Sequence, residues 1–122
     1  SIPLKVSAPF HCSLMKPAAE IMKNKINKVK FDDPIIRIIN NVTARAEKNS
    51  NTIKDLLINQ IYSTVRWRES LINMEVAGVK NFIEVGPGKA LIGMVKRTIK
   101  NSNCFSINSI ADIKNIENEF KK

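Results

Sequence analysis

Asn81-Phe82-Ile83-Glu84-Val85-Gly86-Pro87-Gly88-Lys89-Ala90-Leu91-Ile92 carries three kinds of signal in succession. Its first five residues include one aromatic and two β-branched side chains, a composition that suits a strand. Gly86-Pro87-Gly88 then breaks the chain in a tight turn. Beyond the turn Leu91, Ile92, Val95 and Ile99 recur at helical spacing, and Lys96, Arg97 and Lys100 put positive charge where a helix dipole is negative. The stretch is a strand-turn-helix unit.

Reading outward repeats the pattern. Downstream, Asn103 to Ile107 is a second strand, and Ser109-Ile110-Ala111-Asp112 has the spacing of a capping box before Ile113, Ile116 and Phe120. Upstream, Gly78 ends a helix whose apolar positions are Trp67, Leu71, Met74 and Val76. A break around Ser63-Thr64 separates it from a helix marked by Ile53, Leu56, Leu57 and Ile61, which follows a loop at Lys48-Asn49-Ser50-Asn51. Ile35-Ile36-Arg37-Ile38-Ile39, closed by Asn40-Asn41, reads as a buried strand. Pro17 opens a helix with Ala18, Ile21, Met22, Ile26 and Val29 on its inner face, and Ser1 to Val6 reads as a short strand. Strands alternating with helices predict an α/β fold with a mostly parallel sheet and flanking helices.

The totals set bounds. At 122 residues, 43% hydrophobic and 25% charged, the chain has the balance of one globular domain or part of one. No apolar run reaches the roughly 18 residues of a membrane-spanning helix, and SIPLKVSAPF lacks the features of a secretory signal, so the chain reads as cytoplasmic. Cys12 and Cys104 match neither a disulfide framework nor a zinc-ligand pattern; reduced thiols and no metal are expected. Twenty basic against eleven acidic residues give a formal charge of +9, which favours anionic partners. The lysines are spread from Lys5 to Lys122 and stacking aromatics are few, so a nucleic-acid-binding module rests on charge alone.

The chemistry-bearing candidate is His11, the single histidine, in a loop between a predicted strand and a predicted helix. Adjacent residues on extended chain point apart, which argues against a dyad with Cys12. No G-x-S-x-G is present to supply a nucleophilic serine. Gly86-Pro87-Gly88-Lys89 has a superficial likeness to a phosphate cradle but lacks the spacing of a P-loop or a dinucleotide fingerprint, and reads as a structural turn. Periodicity leaves Gln60 open as a satisfied core amide or a solvent-facing residue. Arg66 and Arg68, either side of Trp67, suit a stacked or ion-paired helix start, or solvated charge.

Taken together, VSAPFHCSLMKPAAEIM at residues 6–22, Ile39-Asn40-Asn41-Val42, Asn59-Gln60-Ile61-Tyr62, Val65-Arg66-Trp67 and Phe82-Ile83-Glu84-Val85-Gly86-Pro87-Gly88-Lys89 resemble, in order and spacing, the carboxyl-terminal part of malonyl-CoA:acyl carrier protein transacylases. The resemblance runs from about Pro3 to Ile107. It implies part of an α/β-hydrolase-like large subdomain, with Ser1 near the return from a ferredoxin-like small subdomain. It also implies transfer of malonyl from coenzyme A to the thiol of acyl carrier protein through a serine ester, in fatty acid synthesis. By the same resemblance His11 matches the histidine that activates the serine and Gln60 the glutamine whose backbone carbonyl holds the other ring nitrogen; Phe10 resembles the phenylalanine before the histidine in malonyl-selective acyltransferase domains of polyketide synthases, where the ring takes the space of an α-methyl group, with simple wall packing as the alternative. No cofactor is implied beyond the coenzyme A thioester as substrate, and no membrane or nucleic-acid partner.

The departures are as informative. The serine elbow, the arginine that binds the malonyl carboxylate and the oxyanion loop are missing from residues 1–122, and Thr64 stands where the family often has proline. The resemblance therefore makes the chain a base without its nucleophile, expected to be inactive alone, to expose apolar faces and to need the amino-terminal half as a partner. A non-catalytic split-gene remnant, a complementing fragment and an acyltransferase of a polyketide pathway are the alternatives.

Overall fold

The computed structural model describes residues 9–121; the expected strand at Ser1 to Val6 lies outside them. Helices and short strands are interspersed, as expected for an α/β chain, though they alternate strictly only from α3 onward, and the fold divides into two compact units, residues 1–70 and 71–122, at a boundary inside one helix.

In the first unit a 3-10 turn, Ser13–Met15, leads into helix α1, Lys16–Ile26, with Pro17 in its first turn where a missing N–H costs nothing. Strands β1, Ile38–Ile39, and β2, Ala46–Glu47, pair antiparallel as Ile38 with Glu47 and Ile39 with Ala46. Asn40 organises the connection: its side-chain oxygen accepts from Val42 N at 3.1 Å and Thr43 N at 2.8 Å, and its amide donates to the Arg45 carbonyl at 3.1 Å. This is an asparagine substituting for backbone in a turn. Helix α2, Ser50–Gln60, starts at Asn49, whose side chain accepts from Thr52 N, and packs on α1. Asp33 adds a second acceptor for that helix start, 2.7 Å from Ser50 N, and this bond holds its carboxyl below the usual range.

Two expectations are corrected here. Ile35–Ile39 is not a buried strand: only Ile38 and Ile39 pair, while Ile35 is 94% and Ile36 81% exposed. A two-residue ladder covers little surface, and β-propensity cannot supply a layer to pack against. Along α1 the buried side chain is Ala19, and Ile21, Met22 and the following Val29 are exposed; in α2 Ile53, Leu56 and Ile58 are buried whereas Leu57 is exposed.

Helix α3, Trp67–Val76, spans the boundary between the units. Arg66 and Glu69 form an ion pair at 3.5 Å at its start, half-exposed and worth little to stability. Gly78, at φ +84°, closes its end: Gly78 N donates to Glu75 O and Val79 N to Met74 O.

The second unit follows the sequence closely. Strand β3, Asn81–Val85, and strand β4, Asn103–Ile107, pair parallel from Asn81 with Asn103 to Val85 with Ile107. Helix α4, Ala90–Thr98, connects them and packs on both, burying Ile92, Val95 and, just past its end, Ile99. Helix α5, Ile110–Phe120, packs on β4, with Phe120 against Phe105 at 5.5 Å between ring centroids. Its capping box is present in full: Ser109 accepts from Asp112 N, and Asp112 accepts from Ser109 N and Asn108 N.

Candidate active site

His11 stands where the loop turns into the 3-10 helix, with φ at +57°, in the left-handed region that costs a non-glycine residue roughly 1 to 2 kcal/mol. Strain of that kind persists only where the surroundings hold it, and two bonds do so on the neighbouring turn. Cys12 Sγ donates to the Pro9 carbonyl at 3.1 Å and Met15 N donates to the Cys12 carbonyl at 3.0 Å. Cys12 is thus occupied with backbone, and no thiol–imidazole bond forms.

The imidazole is aimed by a distant group. Nδ1 of His11 lies 2.8 Å from the backbone carbonyl oxygen of Gln60, across 49 residues of sequence. A carbonyl only accepts, so Nδ1 carries the proton and Nε2 keeps its lone pair. Among the described residues Nε2 makes no hydrogen bond, and the ring is exposed.

Gln60 has a carbonyl to offer because it ends a helix. The last carbonyls of an α-helix lack intrahelical donors. Beyond α2 the next amides turn elsewhere: Ile61 N donates to Ile58 O, and both Tyr62 N and Ser63 N donate to Asn59 O. Gln60 O is left for His11. The partial negative charge at a helix C-terminus also favours a cation there, so the same contact stabilises an imidazolium if one forms.

Asn41 adds an element that sequence patterning did not single out as functional. Its amide Nδ2 donates to Gln60 Oε1 at 3.3 Å, while its backbone carbonyl accepts from Arg66 N at 2.9 Å. The available signal was two consecutive asparagines closing a β-branched run. The first shapes the turn; the second reaches α2. Phe10 immediately precedes His11 and is 57% exposed.

The Gly86-Pro87-Gly88 turn belongs to the second unit, and its geometry is that of a closed helix start. Gly86 and Gly88 take φ values of +134° and +97°, which only glycine adopts freely. Gly86 N donates to Ile107 O at 3.0 Å and Gly88 N to Asn108 Oδ1 at 2.9 Å. The Glu84 carboxylate accepts from Leu91 N at 3.3 Å and Ile92 N at 2.9 Å, so the amides that would greet a phosphate already hold an anion. An open groove of about 550 Å³ beside the turn is lined mainly by apolar groups, among them Val85, Ile107, Ile110 and Ile113. Among the described residues no three His, Cys, Asp or Glu side chains gather as metal ligands, and no helix is long and apolar enough to cross a membrane.

An imidazole with one nitrogen held by a carbonyl and the other free can take a proton from a hydroxyl or thiol and return it to a leaving group. No family model matches the chain. It is 40% identical over 108 residues to the malonyl CoA-acyl carrier protein transacylase of Escherichia coli K12, which covers 88% of this chain and 35% of that protein. The solved acyl carrier protein S-malonyltransferase of Vibrio cholerae matches with a TM-score of 0.87 and 43% identity, over 94% of this chain and 38% of that one. A type II polyketide synthase acyl carrier protein in complex with its malonyl-transacylase matches with a TM-score of 0.86 and 36% identity, over 96% and 38%. The chain spans little more than a third of the length of these relatives.

Proposed function

We propose that this chain, which is homologous to the carboxyl-terminal part of malonyl CoA-acyl carrier protein transacylases, supplies the general base for moving malonyl from coenzyme A to an acyl carrier protein through a serine ester. The observation that carries the reading is the 2.8 Å contact of His11 Nδ1 with Gln60 O, which leaves Nε2 as the proton acceptor.

In this reading each residue has a distinct task. The serine would come from sequence outside residues 1–122, because these contain no G-x-S-x-G. His11 Nε2 takes the hydroxyl proton as the serine oxygen bonds to the malonyl carbonyl carbon. It then returns the proton to the sulfur of coenzyme A as the carbon–sulfur bond breaks. In the second half-reaction the carrier-protein thiol gives its proton to Nε2 as its sulfur bonds to the malonyl carbonyl carbon, and the serine oxygen takes that proton back as its bond to the carbon breaks. Gln60 O keeps the ring in one tautomer throughout and stabilises the imidazolium, a neutral dipole where other triads use a carboxylate. Phe10 serves as a wall of the acyl pocket. Excluding one methyl there is worth about 1 to 3 kcal/mol between malonyl and an α-methyl analogue. The net charge of +9 suits an acidic carrier protein and the coenzyme A phosphates.

A polyketide-pathway carrier protein is the second reading, favoured by the likeness to the malonyl-transacylase solved with such a partner. The test uses this chain joined to, or mixed with, the amino-terminal portion that bears the serine. Malonyl transfer that falls by about 10³-fold or more in His11→Ala supports the proposal, and unchanged transfer refutes it. Fatty-acid and polyketide carrier proteins offered side by side separate the two pathways. Persistent inactivity of the mixture, with both portions folded, would instead mark this chain as a non-catalytic remnant.

A further inference from the structure

We infer that Asn41 is a positioning residue for His11, acting through Gln60. The inference rests on the reading of His11 as the base and adds a residue to which that reading gives no role. Gln60 presents two oxygens near the imidazole's anchor: the backbone O that holds His11 Nδ1 at 2.8 Å, and the side-chain Oε1. Both are acceptors of the kind a ring N–H can use. A ring shared between them would have no single orientation, and loss of about 1 Å in placement costs as much as 10²-fold in rate. Asn41 resolves the competition by donating Nδ2 to Oε1 at 3.3 Å, which leaves the backbone oxygen for His11.

The donor is itself fixed. Asn41 follows Asn40, whose side chain ties down Val42 N and Thr43 N, so the backbone around position 41 is braced on its far side. Arg66 N donates to the Asn41 carbonyl at 2.9 Å and anchors it to the start of α3. Asn41 is half-buried, where an amide pair gains from reduced competition with water. The hairpin turn therefore reaches the imidazole in two steps, from Asn41 to the Gln60 side chain and from the Gln60 backbone to His11.

The test is a double-mutant cycle in the complete enzyme containing this chain. Asn41→Ala is expected to lower kcat by about ten-fold, with KM for malonyl-CoA changed less than about two-fold, because a misaimed base slows chemistry without touching substrate affinity. Gln60→Met removes the competing oxygen and keeps the backbone one. In that background, itself slower than the parent, Asn41→Ala is expected to cost less than about two-fold. Proton and nitrogen-15 spectra of His11 should show the Nδ1–H resonance shifted or broadened in Asn41→Ala relative to the parent, as the hydrogen bond is shared between two acceptors. Asn41→Asp keeps the shape and loses the donor, so it should reproduce the kinetic loss even if Asn41→Ala fails to fold. An undiminished kcat in Asn41→Asp, or the same loss in both backgrounds, overturns the inference. His11→Ala run in parallel keeps the outcomes apart: full activity there would refute the base, whereas its loss beside an unaffected Asn41→Asp would refute only the positioning role.

Discussion

In the unit of residues 71–122 the starts of α4 and α5 are closed by neighbours in sequence, whereas in the unit of residues 1–70 the end of α2 is closed by a side chain 49 residues away. Glu84 reaches two amides of α4 from the strand just before it, and Ser109 and Asp112 satisfy one another within a single turn. Gln60 O receives no such local partner; His11 takes it. Helix ends closed locally leave no group over for chemistry and act as stability devices. A helix end left open by its own segment offers a dipole and an acceptor that a distant residue can use.

The contrast can be broken by mutations that should divide stability from activity. The largest effect is expected for His11→Asn, a residue that tolerates φ at +57°. In the complete enzyme malonyl transfer should fall by about 10³-fold or more, while the urea midpoint stays close to the parent's. Glu84→Ala should do the reverse. Unfolding in urea should show a loss of about 1 to 2 kcal/mol as α4 loses its acceptor, with kcat little changed. A Glu84→Ala enzyme that keeps its stability and loses its rate would remove the distinction between the two kinds of helix end. Ser109→Ala should cost about 1 kcal/mol, read as a lower urea midpoint.

The smallest effect is a pH dependence. Asp112 has its carboxyl held below the usual range, first by the Asn108 amide and then by the Ser109 hydroxyl. A carboxyl whose folded value is depressed stabilises the folded state above the ordinary carboxylate range, and that support is lost as pH falls through the depressed value. Protection factors of the amides at the start of α5, measured against the intrinsic exchange rate at each pH, should therefore fall in acid, and Asp112→Asn should show the lower protection already at neutral pH with little further change. Asp33, lowered by the Ser50 backbone amide and then its hydroxyl, predicts the same trend at the start of α2.

Legibility followed the same division. β3, the glycine turn, α4, β4 and α5 were all readable because each signal sits within a few residues of what it controls: an aromatic and β-branched run, glycines in a tight turn, apolar residues at helical spacing, a capping box. Ile35 and Ile36 misled because burial depends on what lies opposite a side chain, and a β-branched run says nothing about that. Exposed Ile21 and Met22 beside buried Ala19 show the same limit in a helix. For the site, composition and motif alone marked His11 as a lone histidine in a loop; the likeness to a family supplied Gln60 and Phe10 as companions, and Asn41 appeared as the close of a β-run and as part of a matching stretch, with no role attached.

By itself the sequence determined the order of helices and strands in residues 81–120, the capping box of α5 and the absence of a G-x-S-x-G among these residues. Tertiary structure decided which way the imidazole faces. A cap or a turn forms between groups a few bonds apart, so its partners are written side by side. The bond from His11 to Gln60 and the one from Asn41 to the Gln60 side chain close loops of 49 and 19 residues. Such bonds exist only once packing has paid the entropy of bringing their ends together.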